Sequence, residues 1–417
     1  MDFFSAIPLP LWIAALLAFY MAWAIGANDV ANAMGTSVGS GALTVGGAVI
    51  VAAIFEFAGA FLAGGHVTDT VRKGMLDMSS LGREQLIYGM MASLASAGTL
   101  LIGATRFGLP ISTTHAIVGA IVGFGAVAIG IDAVNWPKVL QISLSWITSP
   151  LLAGVIAFAI FHLIRSTILN KSNPVHQIRK YGPAFFFFVF FIIGLVTLFK
   201  GLKHINLDLD LMEALAGSVA LGLIGSGLGA FFIRRVQIGE ADPDHRFDQV
   251  ERIFVVLQIL TACAIAFAHG SNDVANAIGP LAAIVNAVEN VDLTAKTPIA
   301  PWMLAIGGLG IVIGLATWGY RVMETIGKKI TELTPSRGFA AQLAAASTIV
   351  LASRLGIPIS TTHTLVGAVL GVGLARGITA LDVRVVGNIL ASWIATLPIA
   401  AALSVFFYYF FKGLLTA

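Results

Sequence analysis

The chain has 417 residues, 58% of them hydrophobic and 11% charged, with a mean hydropathy of +0.92. A soluble domain carries about 25% charged residues, so this composition excludes one. The net charge of +3 gives no sign of a nucleic-acid partner, and a single cysteine, Cys263, excludes an internal disulfide.

Apolar runs near 9–27, 42–65, 86–104, 115–131 and 139–164 predict five helices. Many of the runs reach the roughly 20 residues that cross a bilayer, so the predicted fold class is an all-α polytopic membrane protein. The first run has no basic leader and continues into a polar motif, which reads as a retained span and not a cleaved signal. Two central runs follow, near 184–199 and 213–233. Five more lie near 253–268, 301–320, 339–353, 363–378 and 386–411. The polar stretches Arg165–Gly182 and Arg234–Arg252 read as solvated loops, and Phe185–Phe188 as surface facing lipid or a partner.

The chain repeats itself. "GANDVANAMG" (Gly26–Gly35) returns as "GSNDVANAIG" (Gly270–Gly279) with eight of ten positions identical. "RFGLPISTTHAIVGAIVGFG" (Arg106–Gly125) returns as "RLGIPISTTHTLVGAVLGVG" (Arg354–Gly373) with thirteen of twenty. "SWI" recurs at Ser145–Ile147 and Ser392–Ile394, in the same order and at nearly the same offset. A duplicated unit, about 1–165 and 251–417, therefore flanks a central segment, 166–250. Seven predicted crossings separate the starts of the two units. An odd number sets the units in opposite orientations, the inverted repeat typical of secondary transporters. With the N-terminus outside, fifteen of the 24 Lys and Arg fall in inside loops, so the positive-inside bias places both termini outside.

In "PISTTH" a proline breaks the helix, and three hydroxyl residues begin the next one. Two such breaks of opposite orientation would bring two helix N-termini together near the midplane. Free N–H groups and a positive dipole end make each an anion site. Six hydroxyls, from Ser112, Thr113, Thr114, Ser360, Thr361 and Thr362, suit a small tetrahedral oxyanion. Asp29 and Asp273 face the opposite need. A charge at membrane depth costs at least roughly 2.5–3.5 kcal/mol, and carboxylate and amide oxygens are hard-cation ligands. In each "N-D-x-x-N", Asp29 with Asn32 and Asp273 with Asn276 share a helical face. Asn28 and Asn272 are expected at a Gly-flanked helix start, where freed carbonyls would complete a cation shell. A cation at each motif would favour the anion and be favoured by it, as symport requires.

Other polar residues have plainer readings. His115 and His363 are expected to pack or hydrogen-bond locally. His269 has no counterpart, since Ile25 holds its place in the first unit, and a ligand role is not expected of it. Glu56 is unmatched in the repeat and left open. Arg106 and Arg354 precede the breaks and could attract an anion or mark an interface, while Asp69 and Glu324 align only loosely.

The two N-D-x-x-N motifs and the paired "PISTTH" closely resemble the inorganic phosphate transporter family of cation-coupled symporters, across both halves. The resemblance implies about twelve transmembrane helices with re-entrant hairpins, phosphate as substrate, and sodium or protons as the driving ion. It implies cation ligation by Asp29 and Asp273, phosphate contacts from the two Ser-Thr-Thr runs, and a homodimer in the membrane. It implies no enzyme activity, and no cofactor beyond the coupling ions. With one acid in each motif and no acidic relay around it, sodium is favoured over protons. Sulfate is the alternative cargo. An intramembrane aspartyl protease would also use two aspartates, but would need neither the asparagines nor the hydroxyl runs. An anion channel would need no second ion.

Overall fold

The computed structural model describes residues 8–65, 75–77, 81–198, 209–235, 246–289, 299–325, 330–355, 357 and 359–416. Their helices are α1 (Leu9–Gly39), α2 (Val45–Ala63), α3 (Arg83–Arg106), α4 (Thr113–Ala128) and α5 (Trp136–Ile164, prolonged by a π turn, Arg165–Leu169). Then come α6 (Pro174–Val196), α7 (Leu211–Arg235), α8 (Arg246–Glu289), α9 (Pro301–Trp318) and the short α10 (Tyr320–Glu324). The chain closes with α11 (Pro335–Arg354), α12 (Thr361–Arg376) and α13 (Val383–Thr416). Each of the twelve apolar runs overlaps one of these helices. Among the described residues nine helices are long and apolar enough to cross a membrane: α1, α2, α3, α5 to α9 and α13. Helices suit this composition because they satisfy their own backbone where water is absent.

Packing comes in exchanged pairs. α1 lies along α9, and α8 along α2; α4 lies against α13, and α12 against α5; α1 touches α3, and α8 touches α11. Small residues allow these approaches. A Cβ on Gly26 would fall 1.8 Å from the Ile311 carbonyl oxygen, and one on Gly270 would fall 2.3 Å from that of Glu56. The corresponding clashes from the other side are Gly314 on Trp23 (1.9 Å) and Gly59 on Phe267 (2.1 Å).

These contacts correct two expectations. The glycines of the N-D-x-x-N motifs do not mark helix starts, because α1 and α8 run unbroken through both motifs. Glycine is there because a neighbouring backbone leaves no room for a side chain, so no carbonyls are freed at Asn28 or Asn272. Phe185 and Phe186 are not surface residues. Both are buried, Phe185 against Phe254 and Phe339, Phe186 against Phe232; Phe188 is the exposed member of the run.

The helix breaks occur as expected. After α3 the chain turns at Gly108, whose φ of +65° favours glycine, passes Pro110 and starts α4 at Thr113. α4 and α12 have 16 residues each. At 1.5 Å per residue each is about 24 Å long, too short for a hydrocarbon layer of about 30 Å. Their N-terminal ends are buried: Ile111, Ser112, Ile359 and Ser360 have almost no exposure.

Candidate functional site

The N-termini of α4 and α12 meet. The Thr114 hydroxyl donates to the Ile359 carbonyl (3.0 Å), the Thr362 hydroxyl approaches the Ile111 carbonyl (3.5 Å), and the His115 and His363 rings lie 4.3 Å apart. Ser112 and Ser360 cap the two helices, accepting from the His115 and His363 backbone N–H groups at 3.2 and 3.1 Å. Capping uses the oxygen as acceptor, so each serine keeps its own hydrogen to donate.

The carboxylates of α1 and α8 sit against this junction. Thr113 donates to Asp29 Oδ2 (2.7 Å) and Thr362 donates to Asp29 Oδ1; Thr361 donates to Asp273 Oδ2 (2.7 Å). Asn276 Nδ2 donates to Thr113 (3.2 Å), and Asn272 Nδ2 donates to Asp273 Oδ1 (2.7 Å). All of these groups are buried. Asn28 has a different set of partners. Its amide donates to Thr105 (2.9 Å) and to the Leu109 carbonyl (3.0 Å), and its oxygen accepts from Ile111 N (3.2 Å). It supplies the hydrogen bonds that the broken backbone cannot make with itself. Asn272 leans the same way, 3.4 Å from the Ile359 carbonyl. Asn32 lies on α1 one turn beyond Asp29, and its side chain is outside the described residues, as are those of Glu324 and Arg354 and the whole of Asp69.

The hairpins are tied across the molecule by their histidines. His115 Nδ1 meets the Trp393 carbonyl of α13 (3.3 Å), and His363 Nδ1 meets the Trp146 carbonyl of α5 (3.2 Å). Trp146 has a carbonyl to offer because Pro150, four residues on, has no N–H to give it. Both histidines pack and hydrogen-bond as expected, but to carbonyls of the opposite half and not to local partners. Arg106 is exposed at the C-terminal end of α3.

His269, of which no ligand role is expected, and Glu56, which the sequence leaves open, are both at the site. His269 Nδ1 is 3.0 Å from Glu56 Oε2. Its Nε2 is 2.9 Å from Asp273 Oδ2, off the line of a hydrogen bond, and 3.8 Å from Asp29 Oδ1. Asp29, His269 and Asp273 bring three ligand atoms within 4.8 Å of one another. The acids therefore do not stand alone in their motifs, and the premise that no acidic relay surrounds them is corrected. A signal was present in the sequence. Glu56 precedes Gly59 as Ile311 precedes Gly314, and His269 precedes Asp273 as Ile25 precedes Asp29. These two departures from the repeat therefore fall on positions that touch. Three buried carboxylates and one imidazole balance only with added cations or protons.

Comparison with known proteins gives the family. Residues 25–404 match the model of the phosphate transporter family. A Haemophilus influenzae relative, provisionally named a phosphate permease, is 47% identical over 95% of this chain and 96% of its own. The Arabidopsis thaliana chloroplastic inorganic phosphate transporter 2-1 is 42% identical over 99% of this chain and 77% of its own. A solved structure of a sodium-dependent phosphate transporter superposes with a TM-score of 0.89 at 42% identity, covering 97% of this chain and 99% of that one. This chain is an integral membrane protein and a member of the phosphate transporter family, a transporter and not an enzyme.

Proposed function

We propose that the chain is a sodium-coupled inorganic phosphate symporter of the cell membrane. It works by alternating access of a site between two halves of inverted topology, 1–165 and 251–417, with both termini outside. One observation carries the reading. Two helix N-termini, with their hydroxyls, converge over two buried aspartates, so anion donors and cation ligands share one site. Phosphate would take the Ser112–Thr114 and Ser360–Thr362 donors, whose hydroxyls can rotate away from the carboxylates. Sodium would take Asp29 and Asp273, with Asn276 and Asn32 in support. The name of the solved neighbour favours sodium as the coupling ion. Each sodium cancels a carboxylate charge that would otherwise repel phosphate, which is the physical origin of coupling.

Proton coupling is the second reading, and the Glu56–His269–Asp273 chain favours it, since buried titratable groups in contact make a proton path. Radiolabelled phosphate uptake into proteoliposomes, with sodium and pH gradients imposed one at a time, separates the two. Accumulation on the sodium gradient alone supports sodium coupling. Accumulation on the pH gradient alone overturns it, and equal exchange without either gradient overturns both.

A further inference from the structure

Two cavities lie in sequence along the seam between α5 and α12. The first is an apolar groove of about 350 Å³, walled by Leu151, Val155 and Phe158 of α5 and by Leu370 and Leu374 of α12. The helices nearly touch at its floor, where a Cβ on Gly367 or Gly371 would fall 2.3 or 2.1 Å from the Pro150 or Gly154 carbonyl oxygen. The second, about 500 Å³, opens where these helices end. Arg165, Arg337 and Arg376 line it, with Phe161 and Phe247 at its sides. Phe158 and Arg165 are seven residues apart, so one face of α5 carries both the wall of the groove and the first arginine of the pocket.

The charges in the pocket leave room for an anion. Glu251 is occupied by the start of α11, accepting from Ser336 N (2.8 Å) and Ser336 Oγ (2.6 Å). Asp248 is in the first turn of α8, where an acid complements the helix dipole. Glu332 pairs with Arg376 (3.4 Å) and Arg337 (3.7 Å) from outside the lining, and at 81% exposure it is free to swing into solvent. Arg165 donates through Nη1 to the Ala375 carbonyl (3.0 Å), and Arg337 through Nη1 to the Glu332 carbonyl (3.0 Å). The remaining N–H groups of these two guanidinium forks point to no partner among the described residues. An arginine fork matches phosphoryl oxygens bidentately.

We propose that this seam is a binding site for an anionic glycerophospholipid, its phosphodiester headgroup in the arginine pocket and an acyl chain in the groove. The apolar groove is what selects a lipid over free phosphate. The groove runs along the second half of α5, an apolar helix long enough to span, and the arginine pocket lies at its end, where a headgroup would meet the hydrocarbon layer.

The test uses the full-length transporter in detergent, titrated with dioleoyl phosphatidylglycerol, dioleoyl phosphatidylcholine, dihexanoyl phosphatidylglycerol or inorganic phosphate. Bound lipid is counted by native mass spectrometry, and thermal unfolding is followed in parallel. The wild type should retain the long-chain phosphatidylglycerol preferentially. The Arg165→Gln/Arg376→Gln variant should bind it about twenty-five-fold more weakly, at roughly fivefold per arginine. Its stabilisation by inorganic phosphate should be unchanged, which also shows that it is folded. Equal retention of phosphatidylcholine, or of the dihexanoyl lipid, overturns the proposal. Loss of the inorganic phosphate effect in the variant would make the pocket a free-phosphate site, and overturn it as well.

Discussion

Asp29 and Thr362 are 333 residues apart in the chain, and the threonine hydroxyl donates to the aspartate carboxylate. One residue belongs to the first N-D-x-x-N motif and the other to the second S-T-T run. Neither half can complete the site without the other. The counterpart residues, Asp273 and Thr114, are drawn into the same junction through Thr361 and the Ile359 carbonyl.

Removing a single donor from this junction should weaken phosphate binding. Thr113→Val and Thr361→Val each delete a hydroxyl worth roughly 0.5–1.5 kcal/mol net, more where it meets a charge. The phosphate concentration for half-maximal uptake should rise by about twofold to tenfold. Saturation curves at fixed, high sodium measure this. A changed sodium response with unaltered phosphate affinity would reverse the assignment of the hydroxyls and the carboxylates.

Glu56 and His269 should behave as a pair. His269→Ile leaves Glu56 buried without its counter-charge, at a cost of about 3–5 kcal/mol, whereas Glu56→Ile leaves His269 still facing Asp273 and Asp29 and should cost less. The double variant recreates the Ile311 and Ile25 arrangement of the other half. It should unfold at a higher temperature than His269→Ile, a coupling that thermal melts of all four proteins would show. Additive losses would mean that the contact contributes nothing.

The close helix approaches predict a steric asymmetry among glycines. Gly26→Ala and Gly270→Ala place a methyl inside a neighbouring carbonyl, so overpacking should cost at least about 1–3 kcal/mol in each. Gly46→Ala, with nothing within 4 Å of its Cβ, should melt like wild type. The same melts check both.

Much of this architecture was legible in the residues, and the misses have physical causes. The hydrophobic runs marked every long helix, because a segment without charges has no alternative in a bilayer. The proline before the S-T-T runs marked the buried breaks, since proline removes an N–H wherever it stands. Glycine was read wrongly in the N-D-x-x-N motifs. A glycine that breaks a helix and one that admits a neighbouring helix look alike until the neighbour is placed, as Ile311 is placed on Gly26. Repeat logic gives weight to what recurs, so it gives His269 no role and leaves Glu56 open, since each occurs in one half only. Their meaning lies in a contact between α2 and α8 that linear spacing does not reveal.

The proposed opposite orientation of the halves has its own test. Cysteines introduced at Lys73 and Lys328, which lie outside the described residues, are expected on opposite faces of the membrane. An impermeant thiol reagent applied to right-side-out cells should label the first and spare the second. Labelling of both from one side would contradict opposite orientation of the halves.

Sodium coupling as proposed depends on the two buried aspartates as ligands. The direct measurement is the sodium activation curve of phosphate uptake in proteoliposomes, for wild type, Asp29→Asn and Asp273→Asn. Each variant loses one carboxylate charge and keeps nearly the same shape, so what changes is the cation site. The account predicts a sodium Hill coefficient above one in wild type, and a lowered coefficient or abolished uptake in both variants. Full rate with wild-type sodium dependence in either variant would contradict it.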